Sequence, residues 1–196
     1  MPTSAPDPTE PDQADIVRVL ELASSRQPTL GEGRLVCVDG PAGSGKTTLA
    51  GAVGVAVPDA VVVHMDDLYE GWDGLPTVDA QLGSLLQPLA DGHTGRYRRW
   101  DWHAARWAEQ VEVRPAPLLV IEGVGSGSLV AAPFTTVLVW VEAPYELRMR
   151  RGIERDGDAF APYWESWAAA EDAHFARHRT RERADLRLDR AGPTRT

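Results

Sequence analysis

A chain of 196 residues, 43% of them hydrophobic, is long enough for one sizeable core, and its single cysteine excludes an internal disulfide. A net charge of −9 and a pI near 5.0 argue against a nucleic-acid or anionic-membrane surface, and no stretch reaches the roughly eighteen apolar residues of a membrane span. The composition points to a cytoplasmic protein with a small-molecule partner and leaves a homo-oligomer open.

In chain order, residues 1–14 carry four prolines and little apolar content and are expected to be disordered, with one folded domain over residues 15–192. Ile16, Val17, Leu20 and Leu22 give residues 15–25 the apolar face of a helix. Residues 34–39 read as a buried strand, with Cys37 a small core residue, and lead into Gly40-Pro41-Ala42-Gly43-Ser44-Gly45-Lys46-Thr47. This octet is G-x-x-x-x-G-K-[ST], the phosphate-cradling P-loop. Lys46 is the only lysine in the chain, the other nineteen cationic residues being arginine. Gly40, Ala42, Gly43, Ser44 and Gly45, with the helix opened by Lys46, Thr47 and Thr48, would surround the phosphates of ATP or GTP. Lys46 would reach the β/γ oxygens and Thr47 would hold Mg²⁺.

Residues 60–64 form a second apolar run ending in His64, followed by Met65-Asp66-Asp67-Leu68-Tyr69. This places Asp66 and Asp67 at the carboxyl edge of a parallel sheet, where open α/β sheets bind ligands. A carboxylate there can accept a proton from a hydroxyl or hold a Mg²⁺-bound water. Val78, Leu82, Leu85, Leu86 and Leu89 fall at helical spacing, with Pro88 expected to kink or shorten that helix.

A third apolar run, residues 118–122, ends in Glu122, the position of an acid that orients Mg²⁺. Gly123-Val124-Gly125-Ser126-Gly127 follows as a turn and, lacking a lysine, is rejected as a second phosphate site. Residues 136–142 and, weakly, 186–188 complete five strands. Between them, helices are expected over residues 145–156 and 163–183, with Gly157-Asp158 as a hinge. Arg148, Arg151 and Arg155 share one face of the first by i, i+3, i+4 spacing, where three guanidinium groups can stabilise a phosphoryl group in transfer. His174 and His178 stand at i, i+4 without a third ligand and read as a solvated face.

Together these elements resemble the uridine kinase and nicotinamide riboside kinase family of P-loop nucleoside kinases, over roughly residues 34–192. The resemblance rests on the P-loop, on Asp66-Asp67-Leu68-Tyr69, on Glu122-Gly123, on the Arg148, Arg151 and Arg155-Asp156 run, and on Ala184-Asp185 before the last strand. It implies an α/β, single-domain P-loop kinase fold, a five-stranded parallel sheet with helices on both faces and an arginine-bearing lid over residues 148–165. It also implies Asp66 as general base near Mg²⁺, with Thr47 and Glu122 at the metal. The acceptor side departs from the pattern: Leu68 replaces an aromatic residue, Trp100 a tyrosine and Ala105 a histidine, while Asp101 matches and Asp73 matches loosely.

The expected activity is Mg²⁺- and ATP-dependent phosphoryl transfer to a hydroxyl of a small metabolite, most simply a nucleoside, bound by Asp66, Asp67, Tyr69, Asp73, Arg98, Arg99, Trp100 and Asp101. Trp100, Trp102 and Trp107 either stack on an aromatic acceptor or pack a helix onto the core. Arg98 and Arg99, as two fixed cations, raise the alternative of a nucleoside monophosphate or other anionic acceptor. A nucleotide-dependent switch is the non-enzyme reading.

Overall fold

In the computed structural model, residues 12–156 and 161–190 are described, without the side chains of residues 155, 156 and 161. Most of the proposed N-terminal tail, the Gly157-Asp158 hinge and the Arg155 side chain lie outside the described residues.

The apolar runs become strands β1 (Arg34–Asp39), β2 (Val61–His64), β5 (Leu118–Glu122), β6 (Val137–Glu142) and β7 (Leu186–Asp189), which pair in parallel in the order β2-β5-β1-β6-β7. Strands buried on both faces read as continuous hydrophobic segments, and β1 is buried from Leu35 to Asp39. Its side chains alternate between two cores. Val36 and Val38 pack with Ile16 and Val19 of α1 (Gln13–Ser25) and Leu49 and Val53 of α2 (Lys46–Val55). Leu35 and Cys37 join Leu82, Leu85, Leu86 and Leu89 of α3 (Asp79–Ala90) and Trp167 of α5 (Trp164–His178). Each buried leucine stabilises the fold by about 1.5–3 kcal/mol, which is how five thin strands hold helices on both faces. Burial also pushes the Cys37 thiol up to about 12, so it stays inert.

Pro88 stands inside α3, which ends two residues later. The helix expected over residues 163–183 is broken: α5 stops where Arg179 turns left-handed (φ 49°), and a short α6 (Thr180–Arg183) follows. A larger difference is an antiparallel hairpin, β3 (Gly95–Asp101) and β4 (Arg106–Val113), where no strand was expected and a helix carrying the tryptophans was one alternative. Arg96 and Arg98 face solvent while Tyr97 between them is buried, so the period is that of a strand. The Asp101 carboxylate accepts from the His103 and Ala104 amides and forms the turn.

The register sets the site. Val38 of β1 and His64 of β2 both pair with Glu122 of β5, so the P-loop, the Asp66 segment and Glu122 all emerge at one carboxyl edge.

Candidate functional site

The P-loop conformation requires its glycines. Gly40 has φ 138°, and a Cβ there would fall 2.0 Å from the Val141 carbonyl oxygen; Gly43 has φ 76°, and a Cβ there would fall 2.4 Å from the Arg148 carbonyl oxygen. Gly45 (φ 98°) caps α2, and a Cβ there would meet nothing within 4 Å. Open space therefore lies at a helix N-terminus with no side-chain cap, the condition for an anion site. The Ser44 hydroxyl is buried without a partner, Thr47 and Thr48 are exposed on the first turn, and Lys46 donates from Nζ to the Pro41 carbonyl at 2.9 Å. Beneath the loop, the buried Asp39 carboxylate accepts from the amides of Gly40, Gly125 and Gly127 at 2.7, 2.9 and 2.9 Å. The glycine turn after Glu122 thus anchors the P-loop's base. Burial pushes Asp39 up to about 6 despite these bonds and the charge of Lys46.

Glu122, buried at the end of β5, accepts from Thr47 Oγ1 at 3.1 Å and lies 2.6 Å from His64 Nδ1 through the same oxygen, Oε1. A hydroxyl and a carboxylate at the mouth of a phosphate loop suit Mg²⁺, which takes few protein oxygens and completes its shell with phosphate and water. Thr47 and Glu122 therefore fit the ion. His64 was not singled out from the sequence, although its register opposite Glu122 follows from the two strand ends. The Glu122 hydrogen bond raises its pKa, and the charges of Asp67 and Asp66 act in the same direction. Asp66 is exposed in the 3-10 turn after β2, its carbonyl accepting from Trp102 Nε1 at 2.9 Å; Asp67 is half-buried and its carboxyl is raised, mainly by burial.

Helix α4 (Tyr145–Asp156) brings two of the expected arginines onto the loop. Arg148 donates to the Ala42 carbonyl at 3.3 Å and Arg151 to the Gly43 carbonyl at 3.4 Å. Arg148 also lies over the rings of Tyr145 and Trp164 at 5.5 and 5.9 Å. A residue the sequence did not mark completes this cluster: Glu171 of α5, 2% exposed, takes the Ala42 amide at 2.7 Å and Trp167 Nε1 at 2.8 Å, 3.8 Å from Arg148.

On the acceptor side several expectations change. Tyr69 is fully buried, donates its hydroxyl to the Val124 carbonyl and packs edge-on to Trp167, so it supports the site from the core and does not line it. Arg98 lies over Trp107 and donates to the Ala108 carbonyl, and Arg99 pairs with Glu109 at 2.7 Å, so neither is an uncommitted anion hook. Asp101 is committed to its turn. Trp100 packs on Trp107 of the hairpin, and Asp73 is exposed in a short 3-10 turn. Trp102 is bonded to the Asp66 carbonyl, and its ring meets Trp72, which stacks in parallel on Tyr163 at 4.9 Å. His174 and His178 are buried rather than solvated, stacked at 4.1 Å, because residues 75–77 pack over that face; among the described residues no metal cluster forms there.

Two solved structures, each 22% identical, are similar to this chain. One is a candidate uridine kinase from Bacillus stearothermophilus, over 90% of this chain and 98% of that one, with a TM-score of 0.60. The other is a candidate fructose transport system kinase from Silicibacter sp. TM1040, over 94% and 100%, with a TM-score of 0.63. No protein-family model matches the chain, and neither does any curated protein sequence. The likeness identifies the architecture as an α/β P-loop kinase fold, with the parallel sheet and flanking helices described above. Among the described residues no helix is long and apolar enough to cross a membrane.

Proposed function

We propose that this chain, built on the P-loop kinase fold, transfers a phosphoryl group from Mg²⁺-ATP to a hydroxyl of a small metabolite, most simply a nucleoside. The observation that carries this reading is the meeting of Thr47 and Glu122 at the open N-terminus of α2, with Asp66 at the same sheet edge.

Lys46 and the loop amides other than those of Gly40 and Ala42, which Asp39 and Glu171 already accept, hold the donor's phosphates, which requires Lys46 to exchange the Pro41 carbonyl for a phosphate oxygen. Mg²⁺, when bound at Thr47 and Glu122, neutralises charge that develops on the phosphates. Asp66, exposed at the sheet edge, takes the proton of the acceptor hydroxyl as the oxygen attacks. Arg148 and Arg151, already on the loop, are placed to stabilise the spread charge of the phosphoryl group. Trp102, tied to the Asp66 carbonyl, and Trp72 supply aromatic surface beside the base, which favours an acceptor carrying a ring. The uridine kinase naming of one structural neighbour agrees with that choice. Direct titration with Mg²⁺-ATP tests the donor half: the wild-type chain binds, and Lys46→Ala loses most of that affinity. Unchanged binding by Lys46→Ala would remove the P-loop from the account.

A further inference from the structure

Glu171 has no part in the scheme above, yet its carboxylate is bonded directly to the phosphate loop, as that of Asp39 is. It projects from α5, 129 residues beyond Ala42 in sequence, and is 2% exposed. One oxygen, Oε1, accepts from the Ala42 amide at 2.7 Å and from the Trp167 indole at 2.8 Å, and Oε2 lies 3.8 Å from Arg148. Arg148 in turn donates to the Ala42 carbonyl, so one residue of the loop is held through its N–H by the acid and through its carbonyl by the arginine of α4. A buried carboxylate is costly unless charges and donors surround it. Here they do.

We propose that Glu171 is a positioning residue, an internal anion that shapes the loop at Ala42 and offsets the charge of Lys46 and Arg148, thereby setting how tightly nucleotide is held. The inference rests on the nucleotide-site reading given above. Phosphates arriving at the loop meet cations that Glu171 already faces, and the repulsion between like charges weakens retention and speeds release. Burial raises the Glu171 carboxyl, opposed first by Lys46 and then by the Ala42 amide, Trp167 and Arg148, so acidification removes the charge more readily than at an exposed glutamate. The charged groups facing it are Lys46 and Arg148; the nearby Tyr69 phenol is itself raised well above its ordinary range by burial and stays neutral.

The test measures Kd for Mg²⁺-ADP and Mg²⁺-ATP by calorimetry from pH 7.5 to 5.5, for wild type, Glu171→Gln and Glu171→Ala. The glutamine oxygen keeps an acceptor for Ala42 and Trp167 while the charge is removed, and its amide nitrogen takes the place of Oε2, 3.8 Å from Arg148. The expected result is binding about tenfold tighter in Glu171→Gln at pH 7.5, the order of one removed like charge near a surface site. The gap to wild type should close as the pH falls and Glu171 protonates. Unchanged or weaker binding by Glu171→Gln across the range overturns the proposal and leaves Glu171 a hydrogen-bonded tie, whose loss only Glu171→Ala would reveal. Failure of wild type to bind either nucleotide overturns the underlying site as well, and is a separate outcome from equal binding by wild type and Glu171→Gln.

Discussion

The hydroxyl of Thr47 donates to Glu122 Oε1 across 3.1 Å, joining the first turn of α2 to the end of β5 over 75 residues of chain. The same oxygen meets His64 Nδ1 at 2.6 Å. Removing the carboxylate therefore acts on both neighbours. In Glu122→Gln the His64 pKa should fall toward its ordinary value, and turnover should drop by about 10²-fold or more, the usual scale for a lost charge-stabilising group. NMR titration of the imidazole and steady-state kinetics check the two effects. The sign for stability follows: a raised histidine contributes stability that is present below its unfolded pKa and lost as the pH rises through the folded value. That contribution should vanish in the variant.

Gly43 and Gly45 of the loop respond differently to the same substitution. In Gly43→Ala the methyl would lie 2.4 Å from the Arg148 carbonyl oxygen, whereas in Gly45→Ala it would enter open space; both positions have positive φ. Gly45→Ala should cost about 1 kcal/mol from backbone strain alone. Gly43→Ala should cost more, because the loop and α4 must also separate. Urea denaturation of the two variants gives the comparison.

His174 gives a pH dependence with the opposite sign to His64. Its pKa is pushed down to about 4, first by burial and then by His178 and Arg177, with Asp79 opposing. The unfolded chain binds this proton more readily, so stability is retained above the ordinary histidine range and lost as the pH falls toward 4. Asp39, raised to about 6, slopes the other way, losing stability as the pH rises from its unfolded value to about 6. Between pH 7.5 and 5, wild type should lose about 1 kcal/mol relative to His174→Gln, after allowance for solvent screening. Equal slopes for the two proteins would show that His174 charges freely in the folded state.

The hairpin arginines yield a negative expectation. Because Arg99 is only partly buried and is paired with the exposed Glu109, Arg99→Ala should leave both the melting temperature and the acceptor KM unchanged. A several-fold rise in KM with an anionic acceptor would restore Arg99 to the site.

The P-loop, five strands and the acids at their ends were legible because their signals are local: glycines where the backbone needs positive φ, a lysine at fixed spacing, and apolar runs long enough for a doubly covered sheet. The hairpin was not, because in 95–113 the core-facing positions are few and arginine and tryptophan conceal a period of two. The burial of His174 and His178 depends on the 3-10 turn at residues 75–77 packing over α5, about a hundred residues away. Glu171 carried a signal that was not used: it stands four residues after Trp167 and seven after Trp164, on the buried stripe of α5, whereas the exposed Glu165 and Asp172 lie off it.

The most direct measurement is Mg²⁺-dependent release of ADP from ATP, or of GDP from GTP, for wild type and Asp66→Asn against nucleosides, nucleoside monophosphates, sugars and vitamins. The account expects an unphosphorylated, ring-bearing alcohol such as a nucleoside to stimulate wild type, and Asp66→Asn to bind ATP while losing that stimulation. Full stimulation in Asp66→Asn would contradict the general-base assignment, and tight ATP binding with no stimulation by any acceptor would contradict the kinase reading itself.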